Sequence, residues 1–268
     1  MTAESAALIG HTGFVGGNLV RQRDFSDCFN SSNIEQIAGR SFDLVVCAGV
    51  PAEKWKANAA PERDHENITR LINALGRCDV TRLVLISTVD VFARPIEVDE
   101  SSPVTIEGQQ PYGRNRRLLE EFVASRFDAT VVRLPGLYGP GLKKNAIFDL
   151  LHNNAVEKID SRGVFQFYDI GRLWRDLEIA LANNLELLHL ATAPVSIADV
   201  ARSALGINFV NELASASGPA RYDIRTRHAE LFGGESGAPY IETRDEELAG
   251  IAAWVASARS RASQAAQA

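Results

Sequence analysis

The sequence predicts an α/β fold centred on a doubly wound parallel sheet. Three observations carry this. The apolar run Ala6–Ile9 enters a glycine-spaced stretch, Gly10-His-Thr-Gly13-Phe-Val-Gly16-Gly17, and a helical pattern through Phe14, Val15, Leu19 and Val20 leaves it. Further apolar, β-branched runs at 43–50, 82–88, 130–134 and 185–190 have the continuous character of strands buried on both faces. Helical patterns lie between them, as with Ile68, Leu71, Ile72 and Leu75 on one face, and such alternation builds parallel sheets.

The bulk properties narrow the function classes. The 268 residues suffice for one large domain or a domain with an annex. The apolar share of 46% is that of a globular chain with a real core. With 28 basic and 34 acidic residues the net charge is −6, and nucleic-acid binding, which needs clustered positive charge, is not expected. No apolar run reaches the length of a membrane span, so no membrane partner is expected. Met1-Thr-Ala-Glu-Ser shows no basic segment leading into an apolar one, and a cytoplasmic location is expected. Cys28, Cys47 and Cys78 are odd in number and sit in or beside apolar stretches, as free thiols in a reducing compartment do. The five histidines are scattered without metal-ligand spacing, and no metal is assigned. The Ala/Gln/Ser tail to Ala268 is expected to fray.

Strand, glycine turn and helix in succession make a phosphate site. The helix N-terminus offers unpaired N–H groups and a partial positive charge, and glycines let the backbone approach a pyrophosphate. Gly10, Gly13 and Gly16, with Thr12, Phe14 and Val15 among them, are therefore candidate contacts to a dinucleotide. An acidic residue about 20 positions after such glycines commonly holds the adenosine ribose. Here that distance falls on Asn30, Ser31 and Ser32, which would not repel a 2′-phosphate, and Arg21, Arg23 and Arg40 are cations that could approach one. NADP is expected ahead of NAD. The run at 43–50 ends in Cys47-Ala48-Gly49, small residues at a strand's carboxyl end, where open sheets bind ligands.

The spacing G-x-x-G-x-x-G near the N-terminus resembles that of the short-chain dehydrogenase/reductase superfamily. Three later stretches extend the resemblance to its extended, epimerase/dehydratase-like members. Ile86-Ser87-Thr88-Val89-Asp90-Val91-Phe92 is similar to their Ser-Thr-x-x-Val-Tyr/Phe signature. Pro111-Tyr112-Gly113-Arg114-Asn115-Arg116 matches Pro-Tyr-Gly-x-x-Lys except at the lysine. Arg133-Leu-Pro135-Gly136-Leu-Tyr138-Gly139-Pro140 resembles Arg-x-x-Asn-x-Tyr-Gly-Pro. Length and the Ser-Thr-x-x-Val-Phe segment lie nearer the dTDP-4-dehydrorhamnose reductase-like branch. The resemblance is strong over 6–20, 81–92 and 111–140 and weak after 195.

The resemblance implies a Rossmann-type fold with a small C-terminal substrate-binding region. We place the dinucleotide-binding domain at 1–194, with 141–163 contributing to the substrate cleft, and the small region at 195–268. The implied activity is an NAD(P)-dependent oxidoreductase or epimerase acting on a nucleotide-linked sugar. Thr88 would hold the reacting oxygen, with Ser87 as its neighbour in an alternative register. Tyr112 would exchange a proton, and Arg116 would tune it and bind the nicotinamide ribose. Asn67, Ile86, Ser87 and Pro135 are implied cofactor contacts. Val89 and Gly136 are implied substrate contacts, and Gly136, lacking the usual side chain, would open space there. Asn145, after Lys143-Lys144, is a further candidate for substrate. A homodimer through the tyrosine-bearing helices is also implied.

Arg116 is the departure that matters chemically. A free tyrosine has a pKa of about 10 and needs a nearby cation to act as a base at neutral pH. Arginine keeps the charge but is always protonated, so it supports electrostatic tuning and not a proton relay. Two readings follow: a working enzyme, or a dinucleotide-binding regulatory or scaffold protein with impaired catalysis. A non-sugar aldehyde or ketone substrate is a third possibility, because fold does not fix substrate.

Overall fold

Six strands build the main sheet: β1 (Ala6–Ile9), β2 (Asp27–Phe29), β3 (Ser41–Cys47), β4 (Asp79–Thr88), β5 (Ala129–Leu134) and β6 (Leu187–His189). Their order is β6-β5-β4-β3-β1-β2, and every neighbouring pair is parallel. This computed structural model describes residues 5–214 and 218–265. The segment Met1–Glu4 of the leader reading, and 266–268 of the tail, lie outside them.

The strands are central because they are apolar on both faces. Ala7, Ile9, Val45, Cys47, Leu83 and Leu85 face one side and pack with Ile68, Leu71 and Leu75 of α3 (Pro61–Leu75) and Leu119 and Val123 of α4 (Pro111–Arg126). The alternate residues Leu8, Val46 and Val84 are buried as well. That period of two is the signature of a sheet covered on both faces. The connection between β2 and β3, residues 30–40, is too short for a crossover helix and another strand, and holds a single 3₁₀ turn, Ile34–Ile37. The chain therefore returns directly to the far side of β1. The strand order reverses there, and β1 and β3 end side by side, with Ile9 in register with Cys47. A ligand crevice opens at such a switch point.

Two compact units emerge. The first contains the main sheet and takes residues up to Arg94, Ser101–Leu134 and Gly171–His189; the second takes Pro95–Glu100, Pro135–Ile170 and the chain from Leu190. This division is finer than a single break at 194. Its cause is strand pairing over long sequence distances: Ile96–Val98 pairs with Asp223–Ile224, and Gly136–Tyr138 with Phe167–Asp169. The second unit has its own core, in which Tyr138, Ile147 and Phe167 meet Ile197, Ile251 and Val255, the last two on the helix Arg244–Ala265. Gln166 ties this unit internally, donating to the Thr192 and Ile224 carbonyls and accepting the Ile224 N–H at 2.7 Å. Among the described residues no helix is long and apolar enough to cross a membrane, and no group of three or more His, Cys, Asp or Glu could hold a metal.

Candidate active site

The glycine turn joins β1 to helix α1 (Phe14–Gln22). Gly10 has φ +88°, and a Cβ there would collide with the Ala48 carbonyl at the end of β3. A Cβ on Gly16 would collide with the Gly10 carbonyl. The turn is thus as tight as backbone permits, and only glycine fits. His11 helps pin it, its Nδ1 lying 3.0 Å from the Phe29 carbonyl. Gly13 is the N-cap of α1 and supplies no side-chain cap, and no acidic residue stands in the first turn. Helix-end donors are left for an anion, with no carboxylate to oppose it. Both features fit a dinucleotide pyrophosphate.

The neighbouring candidates fall at the same sheet edge. Ala48 donates its N–H to the Ile9 carbonyl at 2.9 Å, and a Cβ on Gly49 would lie 2.7 Å from the Ile9 side chain. Cys47 is fully buried, which pushes its thiol up to about 12 and keeps it protonated. After β2, the Asn30 Oδ1 accepts from the Ser32 N–H at 2.8 Å and from its hydroxyl at 2.6 Å, closing a local turn. Of the three cations, Arg40 is bidentate to Asp27 at 2.8 and 2.7 Å, Arg23 stacks over Trp174 at 4.3 Å, and Arg21 reaches Asn18 at 3.4 Å.

The residues that could carry chemistry meet at the carboxyl end of β4. Thr88 caps the 3₁₀ turn Val89–Val91, its Oγ1 accepting the Asp90 N–H at 3.1 Å. The same hydroxyl lies close enough to the Tyr112 phenol to pull its pKa down. Helix α4 brings the tyrosine in close because its third residue is Gly113, where a Cβ would collide with the Asp90 carbonyl. Tyr112 N–H donates to Asn58 Oδ1 on α2 (Lys54–Ala59) at 3.0 Å, which fixes the helix start. Ser87, the alternative hydroxyl, donates instead to Glu120 at 2.6 Å. Glu120 is in turn bidentate with buried Arg133, at 3.0 and 2.7 Å, and Arg133 donates to His189 Nε2 at 3.2 Å.

Arg116 lies one turn below Tyr112, its guanidinium 3.9 Å from the ring centroid. It is almost fully buried and forms an ion pair with Asp64 of α3 at 2.5 Å. Its other terminal nitrogen donates to the Pro51 carbonyl at 2.5 Å. Burial pushes the Tyr112 phenol above its ordinary value; Arg116, the Thr88 hydroxyl and Lys54 pull it down, and Asp90 pushes it up. Lys54 and Asp90 pair at 2.7 Å. The phenol is therefore protonated at neutral pH.

The family model of the NAD dependent epimerase/dehydratase family matches residues 23–177. The chain belongs to this family. Among curated proteins none matches by sequence. The fold is similar to that of MoeE5 solved with UDP-glucose and NAD, at 16% identity over 95% of this chain and 99% of that one, with a TM-score of 0.70. It is similar to a dTDP-4-dehydrorhamnose reductase of Clostridium acetobutylicum at 17% identity, again over 95% and 99%, with a TM-score of 0.71. RMD of Pseudomonas aeruginosa, solved with NADPH, shows 15% identity over 95% and 99%, with a TM-score of 0.70.

The remaining candidates of this family member are placed as follows. Ile86 sits within β4 before the Ser-Thr pair, and Val89 is buried in the turn after it. Asn67 lies on the exposed face of α3, whereas Asp64, one turn earlier, meets the tyrosine helix. Within the second unit, Pro135 is half-buried and precedes Gly136. The space that the missing side chain at Gly136 was expected to open is filled: a Cβ would lie 2.7 Å from the Gln166 carbonyl and 2.9 Å from the Phe167 ring. Glycine is needed there for strand pairing with Phe167. Asn145 is the N-cap of the helix Ala146–His152, accepting from Phe148 N–H at 3.1 Å and donating to the Leu137 carbonyl at 2.7 Å. Sequence reasoning passed over Asp64, Asn58 and Glu120. The available signal was register: Asp64 precedes Ile68, Leu71 and Leu75 on the apolar face of its helix.

Proposed function

We propose that the chain is an NAD(P)-dependent oxidoreductase or epimerase acting on a nucleotide-linked sugar, or a similar carbonyl or hydroxyl substrate. The observation that carries this is the convergence of the Thr88 hydroxyl and the buried Tyr112 phenol at the end of β4, in the same unit as an uncapped helix start behind a glycine turn. The solved proteins of similar fold include ones holding NAD with UDP-glucose and NADPH, which supports both the cofactor and the substrate class.

When bound, the nicotinamide supplies hydride transfer. The backbone donors of α1 after Gly13 would hold the pyrophosphate. Thr88 and Tyr112 hold the reacting oxygen between two hydroxyls. A protonated phenol gives its proton to that oxygen as a carbonyl is reduced, and takes it back in the reverse direction. Arg116 over the ring steadies the phenolate left behind. NADP is the preferred cofactor, because the turn Asn30–Ser32 has no carboxylate and nearby Asp27 is neutralised by Arg40.

The test is a search for absorbance change at the nicotinamide band with a panel of nucleotide sugars, alongside titration with NADPH and NADH. Turnover of at least one sugar and tighter NADPH binding are expected. Clear NADH preference contradicts the cofactor assignment. Tight cofactor binding without turnover on any substrate favours a second reading, a dinucleotide-binding protein without catalysis; the specific observation behind it is that two acceptors, Asp64 and Pro51, already engage Arg116.

A further inference from the structure

We infer that Asp64 is a positioning residue of this site: its carboxylate holds the Arg116 guanidinium over the Tyr112 ring, so that the arginine steadies the phenol without serving as a ligand of the cofactor ribose. The inference rests on Tyr112 being the proton-exchanging group, and its test does not need turnover.

The arrangement is a buried cage. Asp64 Oδ2 accepts from Arg116 Nη1 at 2.5 Å and from Asn115 Nδ2 at 2.8 Å. Asn115 also donates to the Pro61 carbonyl at 3.3 Å. Arg116 Nη1 donates to the Tyr112 carbonyl at 3.3 Å, and Nη2 to the Pro51 carbonyl at 2.5 Å. The guanidinium therefore spans α3, α4 and the loop after β3, with its Cζ 3.9 Å from the Tyr112 ring centroid. Only a planar fork with several donors can do this; a lysine is a single point of charge at the end of a flexible stem. Asp64 and the Pro51 carbonyl thus account for arginine standing at position 116. A buried charge of either sign needs its partner, so the two residues act as a unit.

Two measurements test this on the full chain. The first is the alkaline titration of Tyr112, followed by NMR of ring-labelled tyrosine and assigned with Tyr112→Phe. In Asp64→Asn the guanidinium is no longer held over the ring, and at a fixed pH about tenfold less phenolate is expected than in the wild type, whereas loss of the negative charge alone would give more. A phenol that titrates no later than in the wild type, in folded protein, overturns the inference. The second covers the case in which Asp64→Asn does not fold. The neutral pair Asp64→Asn with Arg116→Gln is titrated with NADPH by fluorescence. Affinity within about threefold of the wild type is expected; a loss of tenfold or more assigns Arg116 to the ribose and overturns the inference. A shifted phenol titration in a protein that turns over no substrate leaves Asp64 as assigned and removes the proposed function.

Discussion

Tyr112 sits where two opposing influences act on one phenol. Burial raises its pKa, and the guanidinium beneath the ring with the Thr88 hydroxyl lowers it, with burial the larger effect. The sign has a kinetic consequence. The protonated phenol is the form that serves carbonyl reduction, and a raised pKa keeps that form through and beyond neutrality. The kcat/KM for reduction should therefore stay level through neutral pH and decline only above the ordinary tyrosine range of about 10. Oxidation of the corresponding alcohol should rise with pH over the same interval. A pH–rate profile for reduction that declines below pH about 8 would show a phenol tuned in the opposite direction. At this scale the sequence placed Thr88 at a strand end and Tyr112 at a helix start, and the structure has both there; the roles proposed for them come from the family resemblance. Asp64 was not legible, since a carboxylate on an apolar face reads as an interruption until its arginine is seen across the fold.

Helix α4 explains why the site is rigid. Its buried face carries Tyr112, Asn115, Arg116 and Glu120 as well as Leu119 and Val123. Each buried charge is matched: Arg116 by Asp64, and Glu120 by Arg133 and Arg117. Removing one partner of such a pair costs about 3–5 kcal/mol because the other charge is left buried. The helix Arg244–Ala265 makes a contrasting use of a buried acid. Glu247 accepts the Phe167 N–H at 2.8 Å, and burial pushes its carboxyl from 4.5 to about 9. The folded state holds a proton that the unfolded chain gives up above pH 4.5, so this group's stabilisation is present below that value and fades as pH rises towards about 9. Thermal unfolding followed between pH 5 and 9 should show this decline in the wild type and a flatter dependence in Glu247→Gln. Equal slopes in the two proteins would mean that Glu247 is ionised when folded. Nothing in the sequence marked this acid, which lies in a run of exposed-looking charges, Arg244 to Glu247.

For the whole molecule, the parallel sheet was legible because five of its six strands fall in apolar runs with helical patterns between them, whereas β2, only three residues long, shows no such run. The assignment of 95–100 and 135–170 to the second unit was not. It depends on short strands such as Asp223–Ile224 and Val164–Phe165, too brief to show a period and paired with distant segments. The site follows from the topology. Because β3 returns beside β1, the glycine turn and Ala48–Gly49 share one edge, and the carboxyl end of β4 is next along it. The central claim is that this edge moves hydride with Tyr112 as the proton-exchanging group. The direct measurement compares wild type, Tyr112→Phe and Thr88→Val for NADPH affinity and for turnover of the best nucleotide sugar. The expected result is NADPH affinity within about twofold in all three, with turnover reduced roughly 10²–10⁴-fold in Tyr112→Phe and by a smaller factor in Thr88→Val. Wild-type turnover in Tyr112→Phe would contradict the claim.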